Sequence, residues 1–216
     1  MENSSTNIAE ELLKIKAVQL RPGDPYRWAS GWRSPVYCDN RLTLSYPALR
    51  SAITSALVEL IRQRYLDTTG VAGVATAGIP QGALVAEKLG LPFIYVRSEA
   101  KKHGMGNQIE GRLETERKYV VIEDLISTGG SSLLAISALK AAGGQVLGVA
   151  AMFDYGFPHA IEAFKQAEVP CHALVGLEQL LAKAVEIHYI QPRELEVVKE
   201  WRQDPVAWTA KVESQA

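Results

Sequence analysis

The chain has 216 residues, 47% hydrophobic and 22% charged, with a formal net charge of −1. That suffices for one domain with a real core, and it leaves no global electrostatic pull toward nucleic acid. Cys38 and Cys171 match no metal spacing and are too few for a disulfide framework, the start Met1-Glu-Asn-Ser-Ser5 lacks the pattern of a signal peptide, and no apolar run is long enough to span a bilayer, so the expected setting is the cytoplasm.

In chain order, Ser4, Ser5 or Thr6 is predicted to cap a first helix carrying Ile8, Leu12, Leu13 and Ile15. Arg21 to Asp39 is rich in Gly, Pro and aromatic residues and reads as short strands and turns. An amphipathic helix is predicted over Pro47–Tyr65, a buried strand over Gly70–Ala75, a helix over Pro80–Leu89 and a strand over Phe93–Val96. Arg97 to Glu116 is charged, contains glycines and lacks an apolar period, which marks a functional loop. A strand over Tyr119–Ile122, a helix over Ser131–Ala142 stopped by Gly143-Gly144, and a strand over Gln145–Met152 follow. The tail from about Leu177 reads as helical, with Trp201-Arg-Gln-Asp-Pro-Val-Ala-Trp208 packing over the core. His159 and His188 read as structural or surface histidines, and Cys171-His172 as a strand or loop pair without a role.

Strands alternating with helices predict an α/β fold: a central, mostly parallel sheet flanked by helices, in a single domain over 1–216. Ligands of such sheets bind beyond the carboxyl ends of the strands. The loops after Ala75, Val96 and Ile122 all fall there, which argues for one composite site.

The loop after Ile122 carries the strongest signal. Glu123 and Asp124 follow a β-branched run, and after Leu125 and Ile126 come Ser127, Thr128, Gly129, Gly130, Ser131 and Ser132 at the start of a helix. A helix N-terminus with glycines and hydroxyls suits phosphate, and edge carboxylates suit a ribose diol or hydrated Mg²⁺. Neither a Walker A loop nor a dinucleotide fingerprint is present. Thr76-Ala-Gly-Ile-Pro-Gln-Gly82 has the small residues that let N–H groups face an anion, although alone it reads equally as a plain strand–helix turn. Arg97, Lys101, Lys102 and His103 gather positive charge within seven residues, and Gly104, Gly106 and Gly111 make that loop deformable. A cationic lid suits a diphosphate leaving group.

The segment Tyr119–Ser132 resembles the phosphoribosyl pyrophosphate (PRPP) signature of the type I phosphoribosyltransferases. Arg97-Ser-Glu-Ala-Lys-Lys-His-Gly104 followed by Gly106-Asn-Gln-Ile-Glu-Gly111 is similar to the catalytic loop of the orotate phosphoribosyltransferases within them. Ser30-Gly-Trp-Arg-Ser-Pro-Val-Tyr-Cys-Asp-Asn-Arg41 resembles their substrate-side motif, and the resemblance covers roughly residues 26 to 132. It implies the type I phosphoribosyltransferase fold with a small N-terminal hood: hood about 1–46 plus the C-terminal segment, core about 47–176.

The resemblance further implies transfer of phosphoribosyl from PRPP to orotate with Mg²⁺, giving orotidine 5′-monophosphate and pyrophosphate in pyrimidine biosynthesis, by a homodimer whose lids are shared across the interface. PRPP would meet Arg97, Lys101, Lys102, His103, Glu123, Asp124, Leu125, Ile126, Ser127, Thr128, Gly129, Gly130, Ser131, Thr76, Ala77 and Gly78. Of these, Glu123 and Asp124 would hold the ribose, Ser127 to Ser131 the 5′-phosphate, and Thr76 to Gly78 the pyrophosphate. Lys101 would be the key catalytic cation, with Arg97 and His103 beside it. Ser127, Ser34, Tyr37 and Cys38 would line the orotate pocket, Tyr37 reading equally as a core aromatic. Mg²⁺ would be held mainly by PRPP and water near Glu123 and Asp124.

Some positions depart from relatives: Ser98 or Glu99 stands where parts of the family have lysine, Ala29 stands where some have lysine, and Met152–Pro158 lacks an arginine that contacts orotate in some. The orotate carboxylate is then expected to meet loop N–H groups, Arg33 or Arg41. A phosphoribosyltransferase for another base is disfavoured by the lid and hood motifs. A PRPP-sensing regulator is disfavoured by the retained Lys101 and His103 and by the absence of a helix-turn-helix pattern. Fusion to a decarboxylase domain is not expected at this length.

Overall fold

The computed structural model describes residues 2–28, 30–98 and 108–214. Helix α1 (Glu2–Lys14) leads into β1 (Val18–Leu20), β2 (Tyr26–Arg27), β3 (Arg33–Ser34) and β4 (Val36–Cys38), then a 3-10 turn over Asn40–Ser45. The core elements are α2 (Pro47–Arg64), β5 (Gly70–Val74), α3 (Gly78–Leu89), β6 (Phe93–Val96), β7 (Ile109–Glu110), β8 (Lys118–Ile126), α4 (Gly130–Ala141), β9 (Gln145–Asp154), α5 (Pro158–Gln166) and β10 (Cys171–Gly176). Helix α6 (Leu177–Glu186), a 3-10 turn over Pro192–Glu194, α7 (Leu195–Gln203) and α8 (Pro205–Glu213) complete the described chain.

Six strands form the central sheet in the order β10-β9-β8-β5-β6-β7, parallel except where β7 runs against β6. The apolar runs of β5 and β8 are buried, as expected for strands covered on both faces. Helix α2 begins at Pro47, which suits a first helical position, and buries Leu49, Ile53, Leu57, Val58, Leu60 and Ile61. Ile8, Leu12 and Leu13 of α1 join the same continuous core.

Several boundaries differ from the sequence expectation. Helix α1 starts at Glu2, upstream of all three predicted caps, because docking of its apolar face outweighs the capping preference. Strand β8 extends to Ile126, so Glu123 and Asp124 lie inside a strand and not after one. Its neighbour β9 supplies the reason: pairing continues through Glu123 opposite Ala151 and Ile126 opposite Asp154. Helix α3 starts at Gly78, before Pro80, and α4 starts after Gly129 with no side-chain cap. The segment between β6 and Glu116 is not all loop, since Ile109–Glu110 pairs with Tyr95–Val96. Cys171 and His172 open β10, while His159 and His188 are exposed.

The N-terminal segment and the C-terminal helices meet through aromatic rings. Trp201, fully buried on α7, lies edge-on to Trp28 at 5.6 Å, Tyr155 at 5.6 Å and Phe157 at 5.2 Å. Asp204 caps α8 by accepting from the Val206 and Ala207 N–H groups, and Thr209 on that helix accepts from the Arg33 N–H at 2.9 Å.

On the far side of the sheet, the Tyr65 hydroxyl lies 2.8 Å from the Val149 carbonyl, 3.2 Å from the Pro170 carbonyl and 2.9 Å from His172 Nδ1. The ring reaches that position only because residue 148 has no side chain; a Cβ there would overlap it. Gly148→Ala is therefore expected to destabilise the fold by about 1–3 kcal/mol in urea unfolding, as overpacking does; unchanged stability would show that the ring is free to move.

Candidate active site

The carboxyl ends of β8, β5 and β6 are neighbours, and each opens into one of the three segments singled out in the sequence. Strand β5 stops at Val74, and its last registered pair with β8 is Gly73 opposite Ile122. Beyond that point β8 continues without β5 beside it, and the start of α3 fills the space. A Cβ on Gly78 would lie 2.5 Å from the Ile122 carbonyl oxygen and 3.5 Å from the Glu123 Cα, so only glycine permits this approach. Gly78, directly after Thr76 and Ala77, is thereby brought against the backbone of Ile122 and Glu123. The peptide between Ala75 and Thr76 is cis.

The two acids differ in setting. Glu123 is 4% exposed, and its Oε2 accepts from the Ser131 and Ser132 hydroxyls, each at 3.0 Å. Its Oε1 accepts from the Asp124 N–H at 3.2 Å. Burial, and then the charge and hydrogen bond of Asp124, raise the Glu123 carboxyl above its ordinary 4.5, against a smaller pull from the serines. Burial also raises Asp124, while its bond to Glu123 and the nearby Arg41 act the other way. Burial thus disfavours the charged form of both acids, and each acts on the other.

Leu125 and Ile126 finish the strand, and Ser127, Thr128 and Gly129 make the turn into α4, with Gly130 and Ser131 as its first residues. Gly129 has φ +79°, and a Cβ there would come within 2.9 Å of the Phe164 ring, so conformation and space both require glycine. The first N–H groups of α4 carry no side-chain cap. An anion arriving there would find the unfilled donors of a helix start.

The hood reaches this end of the sheet. Ser34 is wholly buried, and its hydroxyl donates to the Val36 carbonyl, so it offers the site no side-chain group. Tyr37 is 39% exposed and packs on Tyr26 at 5.4 Å; it is not a core aromatic. The Cys38 thiol is raised by burial and then by the charges of Asp124 and Asp39. Arg41 is clamped on Asp39 (Nε–Oδ1 2.6 Å, Nη2–Oδ2 3.0 Å) within electrostatic reach of Asp124 and Tyr37. Arg33 is committed elsewhere, with its Nε 3.6 Å from Glu213 on α8. The Arg97 N–H donates to the Gln108 carbonyl, the Gln108 side-chain amide donates to the Arg97 carbonyl, and the Arg97 guanidinium sits 3.6 Å from Glu110. Lys101, Lys102, His103, Glu99 and Ala29 lie outside the described residues.

The phosphoribosyl transferase domain family matches residues 44–160. The curated orotate phosphoribosyltransferase of Bacteroides thetaiotaomicron is 51% identical over 210 residues, covering 97% of this chain and 99% of its own. The chain belongs to the orotate phosphoribosyltransferase family. Among solved structures, the orotate phosphoribosyltransferase of Aeropyrum pernix is similar with a TM-score of 0.74 at 31% identity, over 85% of this chain and 99% of that one. Leishmania donovani UMP synthase is similar with a TM-score of 0.77 at 28% identity over 92% of this chain, which spans 42% of that longer protein.

Two residues that hold the acidic pair were given no such part by the sequence. Ser132 stood among the hydroxyls at the helix start, without a part of its own, and its hydroxyl donates to Glu123. Asn40 stood unremarked between Asp39 and Arg41, yet its side chain is buried against Asp124. The only signal for Asn40 was its place inside a motif already singled out.

The Glu123 shift has a defined consequence for stability. The folded state holds this proton at pH values where the unfolded chain has released it. The stabilisation is fully present below 4.5 and is lost as pH rises through the raised folded value. Wild type should therefore lose unfolding free energy relative to Glu123→Gln as pH rises above 4.5, measured by urea unfolding across pH. A difference independent of pH would show that folding leaves the Glu123 titration unshifted.

Proposed function

We infer that this chain is the enzyme that transfers phosphoribosyl from PRPP to orotate, yielding orotidine 5′-monophosphate and pyrophosphate in pyrimidine biosynthesis. The observation that carries the reading is the meeting of the hood turn, the loop at Thr76–Gly78 and the Glu123–Ser131 segment at one end of the sheet, in a chain 51% identical to a curated orotate phosphoribosyltransferase. One unit does this work, with the hood (about 1–46) and the C-terminal segment over a core of about 47–176.

In the step itself, the bond from the anomeric carbon to the pyrophosphate oxygen breaks and a bond from orotate nitrogen to that carbon forms. Orotate enters as a carboxylate anion, and its ring nitrogen gives up its proton, taken up by the departing diphosphate or by solvent, so the protein's task is to place two anions and to stabilise the diphosphate. Ser127 to Ser131 hold the 5′-phosphate at the start of α4. Asp124, the more open of the two acids, meets the ribose hydroxyls, with Glu123 behind it fixed by Ser131 and Ser132. Thr76, Ala77 and Gly78 present backbone to the pyrophosphate. Arg97, Lys101, Lys102 and His103 close over it, with the lid of each subunit serving the partner's site in a homodimer. Tyr37 and the backbone of Ser34 and Cys38 border orotate together with Ser127.

The acid pair also fits Mg²⁺ held mainly by PRPP and water. Among the described residues no group of three His, Cys, Asp or Glu side chains could enclose a metal, and Glu123 already receives two hydroxyls, which leaves Asp124 as the open oxygen donor. Bound there, the ion would supply charge neutralisation for the diphosphate. A cytoplasmic location agrees with two free cysteines and with the absence, among the described residues, of any helix long and apolar enough to cross a membrane.

Loss of orotate absorbance with purified protein, PRPP and Mg²⁺ tests the reading. Wild type should turn over, and Lys101→Ala should lower kcat by roughly 10²-fold or more, the scale of a lost transition-state donor. PRPP binding without orotate turnover would sink the substrate assignment. Undiminished turnover in the variant would sink the role of Lys101.

A further inference from the structure

We propose that Asn40 is a positioning residue for this reaction, locking the base-side segment of the hood to the ribose-side acidic pair. The inference rests on the functional reading above and deepens it. Asn40 is 2% exposed, and its Nδ2 donates to the Asp124 main-chain carbonyl at 2.7 Å, joining positions 84 residues apart. That carbonyl belongs to the part of β8 that has run past the end of β5.

The second observation is the other half of the same amide. Asn40 Oδ1 is buried and has no hydrogen-bond partner. A buried polar atom left unpaired is a folding liability that requires an explanation. Folding alone gains one ordinary hydrogen bond from this side chain and accepts an orphaned acceptor in exchange. A positioning role accounts for it, because only a donor can grip the Asp124 carbonyl and an amide brings its acceptor along. Rotating the amide does not help, since it would turn Oδ1 toward another oxygen.

The grip is rigid on both sides. The Thr43 hydroxyl donates to the Asn40 carbonyl at 2.7 Å, and Asp39 caps the same turn while clamping Arg41. Cys38 and Tyr37 directly precede this turn, so they and Asp124 move as one body. The Asn40 amide bonds a main-chain carbonyl and is sealed from solvent, so it acts through Asp124 and is not a catalytic residue.

The test uses full-length Asn40→Asp, which keeps the volume and loses the donor, and Asn40→Ala. PRPP affinity is measured by calorimetry with Mg²⁺ and no orotate, alongside kcat and KM. A folded variant should bind PRPP about tenfold more weakly, the scale of one hydrogen bond, with KM for PRPP rising in parallel and kcat changing far less. Tyr65→Phe, a remote destabilised control, should leave both unchanged. A lowered Tm with unaltered PRPP affinity overturns the proposal. If neither variant folds, the side-chain amide NMR signals of Asn40 in wild type decide: a shift on adding PRPP supports the proposal, and no shift overturns it. Since PRPP binding is read without orotate, failure of the substrate assignment stays distinguishable from failure of this one.

Discussion

Strand β8 outruns its neighbour β5, and the site depends on that mismatch in length. Pairing with β9 keeps β8 extended through Ile126, while β5 ends at Val74. Glu123 and Asp124 thus sit on a strand anchored on one side and open on the other. Into the open side come the start of α3 at Gly78 and the hood turn at Asn40. A carboxylate pair on a loop would be free to turn away from its neighbour. On a strand its direction is fixed by the pleat, and its burial raises both acids.

The same arrangement explains why the hood has to be held in place. Short two-stranded ribbons such as β1–β4 and β2–β3 are marginal alone. Here they are fastened at two points of different chemistry. One is the ring cluster of Trp28, Tyr155, Phe157 and Trp201, which welds the N-terminal segment to α7 and the end of β9 through non-directional burial. The other is the directional bond from Asn40 to β8. The first supplies holding strength and the second supplies register.

Much of this was legible because the elements carry strong local signals. The runs Val71–Val74 and Val120–Ile122 could be little other than buried strands, and the small residues after them marked turns into helices. What misread was termination. The chain at Glu123-Asp124 looks like the end of a strand, because acids are depleted in strands, yet pairing to β9 carried it four residues further. Ser4 to Thr6 looked like caps, yet the helix began before them. In each case a partner distant in sequence overrode a local preference.

By itself the sequence determined the alternation of strands and helices, the three strand-end segments and the chemistry of their residues. Those properties follow from neighbours within a few positions, where residue type dictates backbone preference. Tertiary structure alone decided that Asn40 meets Asp124, that Ser132 holds Glu123, that Arg33 is bound to Glu213 while Arg41 stays near the acids, and which acid is the more deeply buried. Those facts depend on where one strand stops beside another and on what fills the gap, and contacts across 84 residues have no local signature to read.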